Sequence, residues 1–322
     1  MDDLKHNQSR NHKAVLLVDG NNIAWRAAAV IGLDRFREAG DDLSLKLLDN
    51  MLNKREREMA DDGYTVVCPV VTFDAGPGNI VNDAKVDRWS YYDEYKANRL
   101  DDHTDPDRTE MNRLRTIWKD RWRDSLLSRE IPVVEHECVE GDDLMSYGSV
   151  LAANAPEVDA AIWTSDKDLM QCVDDRPDHK VIMYRKRTIR QDGRRRSVER
   201  LVDGKEVVAE KGVPPSKVRM QLALVGDGAD NYPGISGYGG KLGLKLVNQA
   251  DDIHDLKSLL ADSLSKKGRD DEVEQDLVTL ERNWTLAGCG RDWMPTTAAQ
   301  GTKLAVNKAL SYLADNHAVY CS

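Results

Sequence analysis

The sequence contains no apolar run long enough to cross a membrane and no apolar segment near its start of the kind that marks secretion. Its first residues, MDDLKHNQSRNHK, are polar. The five cysteines, at positions 68, 138, 172, 289 and 321, include no C-x-x-C pair, so neither a zinc ribbon nor a disulfide framework is predicted. The seven histidines are scattered and form no zinc cluster. These absences predict a protein of the reducing cytoplasm without a membrane partner.

The net charge is −10 over 322 residues, which is unusual for a protein that binds a polyanion. Lys180–Arg200 nevertheless contains nine lysines and arginines against two acids, whereas acids outnumber bases in residues 251–276. Such segregation lets a basic strip contact nucleic acid while the acids gather elsewhere. The hydrophobic and charged fractions, 40% and 32%, indicate a globular chain with one large domain or two unequal ones.

Five short apolar runs predict the strands of a mainly parallel sheet. They are Ala14–Val18, Thr65–Phe73, Ile131–Glu135, Asp159–Trp163 and Lys180–Tyr184. Pro69, inside the second run, predicts a bulge or an irregular start of that strand. Helical patterns lie between most of the runs, and this alternation predicts an α/β fold with helices on both faces of the sheet.

Two regions outside that alternation are predicted to be helical. Met111, Trp118 and Trp122 recur at helical spacing between Thr104 and Glu130, and Pro132 stops the helix. After Pro214 and Pro215, short helical segments are joined by glycine turns. They run from Val218–Val225 through Gly226–Gly240 to Lys241–Ala250.

Five groups of carboxylates follow the predicted strands or occupy turns. The groups are Asp19; Asp74; Glu140, Asp142 and Asp143; Asp166 and Asp168; and Asp227 and Asp230. One such group is typical of ordinary helix capping. Several acids at the carboxyl edge of one sheet would repel each other unless cations bind between them, and Mg²⁺ or Mn²⁺ prefers such oxygen ligands. Two ions about 3.5–4 Å apart can serve an in-line phosphoryl displacement, so the pattern predicts a metal-dependent nuclease.

Six ordered motifs resemble those of the 5′-nuclease (flap endonuclease) family, which includes bacteriophage 5′–3′ exonucleases and the 5′-nuclease domain of bacterial DNA polymerase I. The motifs are VDGN at 18–21, FD at 73–74, YKANR at 95–99, EGDD at 140–143, SDKDL at 165–169 and GDGADN at 226–231. The resemblance covers about Val15 to Val247. It implies a 5′–3′ exonuclease and flap endonuclease that hydrolyses DNA in replication or repair, in the cytoplasm of a bacterium or a phage-infected host.

The resemblance also implies a domain organisation. Residues 1–215 are expected to form a PIN-like core, a mainly parallel twisted sheet flanked by helices, with a helical arch at about 82–130 that admits a single strand. Residues 216–322 are expected to form a helical region with a helix–two-turn–helix element. Aromatic side chains of the arch could stack on bases or pack against its own helices; they are Trp89, Tyr91, Tyr92 and Tyr95.

The resemblance assigns roles to the acids and to the YKANR motif. The first metal site is expected to contain Asp19, Asp74, Glu140, Asp142 and Asp143, with Asp143 bridging the ions or orienting their ligands. The second is expected to contain Asp166, Asp168, Asp227 and Asp230. Lys96 and Arg99 are the expected catalytic cations at the scissile phosphate, and Tyr95 is expected to contact DNA. Composition alone would make this motif a solvated loop. Gly141 departs from the alanine usual in the family.

Two further segments are expected to contact DNA. Pro233–Val247 resembles the helix–two-turn–helix element, in which Gly237, Gly239 and Gly240 would let the backbone approach phosphates and Lys241 and Lys245 would supply charge. In the family such a loop also binds K⁺; an ordinary αα-hairpin is the alternative. Arg194, Arg195 and Arg196, after Asp192 and Gly193, predict a hairpin tip that grips a duplex, although charge runs are often solvated faces.

The expected ligands are two Mg²⁺ ions, replaceable by Mn²⁺, and branched or 5′-ended DNA or an RNA–DNA hybrid, bound by a monomer. Two other classes of protein are compatible with parts of the pattern. One is a junction-binding protein that keeps the fold without catalysis. The other is a phosphatase or nucleotide hydrolase on a Rossmann-like sheet. The haloacid-dehalogenase type needs a second aspartate two residues after the first, where this chain has Asn21, and a P-loop is absent.

Overall fold

The predicted apolar runs form the centre of a seven-stranded sheet in the computed structural model, which describes residues 12–31, 41–74, 88, 91–97, 106–137, 139–191, 193–290 and 294–313. The strands are β1 His12–Asp19, β2 Tyr64–Asp74, β3 Val133–His136, β4 Val158–Thr164, β5 Asp174–Arg176, β6 His179–Gln191 and β7 Arg194–Val202. Their order is β3-β2-β1-β4-β6-β5, and β7 pairs with β6. The first five strands in this order run parallel, whereas β5 and β7 are antiparallel to β6. The expected mainly parallel sheet is therefore present.

The central strand β1 is buried on both faces, as a parallel strand between two helical layers must be. Val15 and Leu17 face one hydrophobic cluster, and Leu16 and Val18 face the other. The pairing of β1 with β2 shifts register between Ala14 and Val15, which skips Val67 two residues before Pro69. The predicted irregularity of this strand is thus confirmed.

Helices cover both faces of the sheet. They are α1 Gly20–Ile31, α2 Asp41–Asp61, α3 Pro106–Ser128, α4 Gly141–Ala153, α5 Gly204–Lys211, α6 Pro215–Val225, α7 Gly240–Gln249, α8 Ile253–Ser265, α9 Val273–Ala287 and α10 Thr296–Ser311. Short 3₁₀ helices span Asp168–Cys172 and Asp270–Glu272, and a small ladder joins β8 Gly226–Asp227 to β9 Tyr232–Pro233. Apolar residues of α1, α2 and α3 share one cluster, while those of α4 and α6 to α10 share the other. Within the described ranges, no helix is both long and apolar enough to cross a membrane.

Helix α3 begins and ends within two residues of its predicted bounds. The side chains of Trp118, Trp122 and Leu126 are buried, and the Trp122 ring meets Phe73 edge-on at 5.9 Å. The second half of α3 therefore packs directly against the sheet. Residues 82–87, 89–90 and 98–105 of the expected arch lie outside the described residues, so the arch stays a prediction.

The C-terminal helices return to the sheet. Helix α10 packs against α4, β2 and β3, and His136 at the end of β3 hydrogen-bonds Thr297 at 2.8 Å. Gly148 of α4 lies so close to Leu17 that a Cβ there would be 3.0 Å from its methyl carbon. Residues 296–311 thus complete the helical cover on this face. The described cysteines, Cys68, Cys172 and Cys289, are buried, and no disulfide joins them.

Candidate active site

The carboxyl ends of β1, β2 and β4 bring the first acids together. Asp19 ends β1, and its two carboxylate oxygens accept hydrogen bonds from the backbone N–H of Asn22 at 2.9 Å and from the hydroxyl of Thr164 at 2.7 Å. Burial is the main cause that raises the pKa of Asp19 to about 7; the charges of Asp74 and Asp166 add to this rise, and the two hydrogen bonds oppose it. Asp19 therefore lies between the acid of β2 and the acids that follow β4, as the strand ends predict.

Asp74 is fixed by two donors. The side chain of Asn21 donates to one oxygen at 2.5 Å, and the backbone N–H of Gly141 donates to the other at 2.6 Å. A Cβ at position 141 would lie 3.1 Å from the same Asp74 oxygen, so glycine lets the start of α4 approach this carboxylate closely. This contact joins Asp74 to the acids of α4.

The start of α4 carries a compact group of carboxylates. Glu140, Asp142 and Asp143 each offer an oxygen within 4.8 Å of the others. Asp143 is fully buried, and its Oδ2 accepts no hydrogen bond from the described residues. Burial and the neighbouring acids raise the pKa values of Asp142 and Asp143. Crowded carboxylates with a buried, unpartnered oxygen are a suitable donor set for a hard divalent cation.

Arg88 lies inside this group, and the sequence analysis did not identify it. The guanidinium contacts Glu140, lies 2.5 Å from Asp143 Oδ1 and 3.7 Å from Asp142 Oδ2, and is 5% exposed. It also donates to the carbonyl oxygen of Gly288 at 2.6 Å. A single arginine in a polar segment gives no signal in the sequence, because its carboxylate and carbonyl partners lie 52 to 200 residues away along the chain.

Lys96 contacts the same group from the other side. Its ammonium lies 2.5 Å from Glu140 Oε1, and its backbone, at φ 55°, donates to the carbonyl oxygen of Asp230 at 2.9 Å. Burial would lower the pKa of Lys96, but Glu140 and Asp142 outweigh burial and raise it. Lys96 is therefore protonated and positioned at the acidic edge. Arg99, its expected partner, lies outside the described residues.

Tyr95 was expected to contact DNA, and its side chain is buried. Its side chain is 1% exposed, its ring stacks on Tyr232 at 6.4 Å, and its hydroxyl donates to Asp230 Oδ2 at 3.1 Å. The ring packs inside the protein and has no face open to a base. The same contacts place Asp230 beside Tyr95 and Lys96. Of the other aromatic residues, Tyr91 is 53% exposed, and Tyr92 stacks against the guanidinium of Arg282 at 4.3 Å.

A second group of acids follows β4 and α6. The Asp168 N–H donates to Asp166 Oδ1 at 2.8 Å, and Asp227 Oδ1 accepts from the Ala229 N–H at the same distance. Lys167 lies 3.1 Å from Asp227. Burial, with the charges of Asp166 and Asp227, raises the pKa of Asp168 to about 8. Asp168 Oδ1 accepts no hydrogen bond from the described part of the chain. This group, too, suits a cation.

The segment between α9 and α10 reaches the first acid group. Besides the Gly288 carbonyl that holds Arg88, Gly290 has φ 37°, and a Cβ there would lie 2.7 Å from the Cβ of Asp143. The side chain of Gln171 donates to the Ala287 carbonyl oxygen at 2.9 Å. The glycines on both sides of Cys289 were the available sequence signal, but nothing in the sequence showed that they pack against Asp143.

The predicted helix–two-turn–helix element has the expected α–loop–α arrangement in α6, the loop 226–239 and α7. Residues 226–239 contain the β8–β9 ladder and no helical turn. Gly237 and Gly240 have positive φ values of 80° and 57°. A Cβ on Gly243 would collide with the Tyr238 carbonyl oxygen, which explains glycine inside this helix. Lys241 and Lys245 are exposed on α7.

The predicted basic hairpin is also present. Strands β6 and β7 pair up to Gln191 and Arg194, and Gly193 in the turn has φ 73°. The side chain of Arg195 is exposed, and the backbones of Arg194 and Arg196 belong to β7. The hairpin is therefore confirmed, and its contact with DNA stays a prediction.

Comparisons with known proteins show which family the chain belongs to. The family model described as 5′–3′ exonuclease, N-terminal resolvase-like domain, matches residues 14–211. The chain is 29% identical over 282 residues to DNA polymerase I of Rhizobium leguminosarum, covering 86% of this chain and 25% of that protein. It is 31% identical over 156 residues to a 5′–3′ exonuclease of Bacillus subtilis, covering 46% of this chain and 45% of that protein. The chain thus spans between a quarter and a half of the length of these relatives.

Two solved structures share the fold. The bacteriophage T5 5′-exonuclease with bound zinc has 16% identity and a TM-score of 0.62, covering 94% of this chain and 97% of its own. The bacteriophage T5 flap endonuclease in complex with DNA and metal ions has 16% identity and a TM-score of 0.65, covering 94% and 98%. These likenesses confirm the predicted α/β fold. Because the family model matches more than half of the sequence, the chain belongs to the 5′–3′ exonuclease family.

Proposed function

We propose that this chain is a divalent-metal-dependent, structure-specific 5′-nuclease that hydrolyses DNA phosphodiesters in replication or repair. The observation that carries the proposal is the meeting of acids from β1, β2, α4 and the turn after β4 at one sheet edge, with Lys96 beside them. Family membership supports the same activity. The proposed location is the cytoplasm of a bacterium or a phage-infected host.

The acids divide into two proposed metal sites. Asp19, Asp74, Glu140, Asp142 and Asp143 would hold one ion, and Asp166, Asp168, Asp227 and Asp230 would hold or support the other. Unpartnered buried oxygens on Asp143 and Asp168 support this allocation. Two Mg²⁺ ions, replaceable by Mn²⁺, would lower the pKa of a water and neutralise charge on the phosphate when bound.

The basic side chains would act on the scissile phosphate. Lys96 is held at Glu140 with a raised pKa, so it can donate a charge-assisted hydrogen bond to a non-bridging phosphate oxygen. Arg99, three residues later, is proposed as its partner. Arg88 balances the charge of Glu140, Asp142 and Asp143 and keeps these acids close together.

The α6–α7 element is proposed to hold the duplex. Backbone amides near Gly237, Gly239 and Gly240, with Lys241 and Lys245, would bind phosphates, and loop carbonyls would bind K⁺. The proposed substrates are branched or 5′-ended DNA, whose single strand passes under the arch, with an RNA–DNA hybrid as an alternative. The chain would act as a monomer, both as an exonuclease and as a flap endonuclease.

A cleavage assay tests the proposal. The wild-type chain, incubated with a labelled 5′-flap duplex and Mg²⁺, should release products that carry 5′-phosphate and 3′-hydroxyl ends, and EDTA should stop the reaction. Binding without product at any Mg²⁺ or Mn²⁺ concentration would instead support the junction-binding alternative. Hydrolysis of mononucleotides without cleavage of DNA would support the phosphatase alternative.

A further inference from the structure

The β6–β7 hairpin projects beyond the edge of the sheet that carries the acids. Strand β6 pairs with β4 as far as Arg185, opposite Thr164, and then continues with β7 alone to Gln191. Six residues beyond the edge correspond to about 20 Å of extended chain. Arg185 Nε donates to the Ser165 carbonyl oxygen at 3.3 Å, so the base of the hairpin is adjacent to Asp166.

A buried network fixes the base of this hairpin. Glu199 of β7 accepts a hydrogen bond from Trp163 Nε1 at 3.0 Å and forms ion pairs with Arg26 and Arg55. The guanidinium of Arg55 also stacks on the ring of Tyr184 at 4.7 Å. The base of the hairpin is therefore packed against the sheet and its helices, and the Glu199 carboxylate is occupied by these contacts.

The hairpin places like charges opposite one another both near its tip and at its base. Arg190 pairs with Arg195, and Arg185 pairs with Arg200. Like charges directly opposite on neighbouring strands are destabilising. Glu210 forms ion pairs with Arg185 and with Arg187. No carboxylate in the described part of the chain forms an ion pair with Arg190 or Arg195, so a polyanion would relieve their repulsion.

The amino-acid composition of the hairpin indicates whether it binds single-stranded or double-stranded nucleic acid. No aromatic residue occurs between Arg185 and Arg200. Proteins that hold single strands stack bases on aromatic side chains, whereas contact with a duplex backbone needs positive charge alone. We propose that the β6–β7 hairpin binds the phosphates of the double-stranded part of the substrate beside the acidic edge. This inference rests on the proposed nuclease function and adds a surface that selects duplex.

Equilibrium binding in EDTA tests the inference separately from cleavage. The variant R190Q/R195Q removes two charges at the tip, and K303Q/K308Q, on the exposed side of α10, is the matched control. The probes are a 20-base-pair blunt duplex and a 20-nucleotide oligothymidine, each over a range of salt concentrations. Thermal unfolding of both variants checks that they fold.

R190Q/R195Q should weaken duplex binding about tenfold at about 0.1 M salt and reduce the slope of log K against log salt by about 1.8, or 0.9 per lost contact. Its affinity for oligothymidine should stay within about twofold of wild type, and the control should match wild type on both probes. Unchanged duplex binding, or an equal loss on both probes, would overturn the inference. If wild type binds as expected but never cleaves in Mg²⁺, the proposed nuclease function fails and the hairpin inference stands.

Discussion

At the scale of single residues, Arg88 is the cation that stabilises the crowded acids of α4. It contacts all three carboxylates and is almost completely buried. A buried charge of this kind is costly to remove, because its partners lose their compensation. Arg88 and the divalent ion proposed for these carboxylates would therefore be energetically linked.

Replacing Arg88 by glutamine should lower the free energy of unfolding in EDTA by about 3 kcal/mol. The melting temperature in EDTA should fall accordingly. Saturating Mg²⁺ should raise the melting temperature more in R88Q than in wild type, because the ion replaces the lost charge. R113Q, which removes an exposed arginine paired with Glu110, serves as the control. Equal Mg²⁺ shifts in R88Q and wild type would contradict this role.

The acids of the site could be predicted from the sequence, but their partners could not. Asp19 and Asp74 follow apolar runs, and the ends of parallel strands meet at one edge whatever the details of packing. Arg88, Thr164 and Gly290 gave no comparable signal, because their roles depend on contacts with residues far away along the chain. Tyr95 fits the motif, but the sequence did not show that its ring packs against Tyr232.

At the scale of secondary-structure elements, Glu199 connects β7 to α1, α2 and β4. Burial would raise the pKa of Glu199, but Arg55, Trp163 and Arg26 outweigh burial and hold the pKa below its ordinary 4.5. The ionised form therefore stabilises the fold above about pH 4.5, and this contribution is lost as the pH falls through the lower pKa of the folded state.

The variant E199Q should lose about 3 kcal/mol of unfolding free energy at pH 7, because the buried Arg55 and the half-buried Arg26 lose the carboxylate that they share. The difference in unfolding free energy from wild type should shrink as the pH falls below about 4. Urea unfolding at pH 7 and below about pH 4 measures this difference. E281Q, which breaks the exposed pair with Lys257, should cost less than about 1 kcal/mol. A pH-independent difference for E199Q would show that its charge is not the cause.

Two glycines of the α6–α7 element make a matched pair. A side chain at Gly243 would collide with the Tyr238 carbonyl oxygen, whereas one at Gly239, where φ is −71°, would meet open space. G243A should therefore cost about 1–3 kcal/mol in urea unfolding and weaken duplex binding, because the loop before α7 must move. G239A should leave stability nearly unchanged. Equal effects of the two substitutions would contradict the close packing.

At the scale of the whole molecule, the sequence predicted the sheet better than the positions of the helices that pack against it. Short continuous apolar runs such as Ala14–Val18, which end at turn residues, are typical of strands buried on both faces, so they predicted the parallel sheet. The return of α10 to the sheet did not follow, because its helical pattern does not show which surface it packs against. The second half of α3 likewise joins the wall of the sheet through Trp118 and Trp122.

The proposed two-site arrangement concerns the whole molecule, because its acids come from distant parts of the chain and would have to act together. The variants D142N and D166N each remove one ligand charge from a different proposed site. Each exchange keeps the size of the side chain, so the fold and the DNA-binding surfaces should be preserved.

The most direct measurement is single-turnover cleavage of a 5′-flap duplex by wild type, D142N and D166N over a range of Mg²⁺ concentrations. Both variants should cleave at least about 10³-fold more slowly than wild type, a loss of about 4 kcal/mol in transition-state stabilisation. Both should still bind the flap in Ca²⁺ within about threefold of wild type. Near-wild-type rates in both variants would contradict the account.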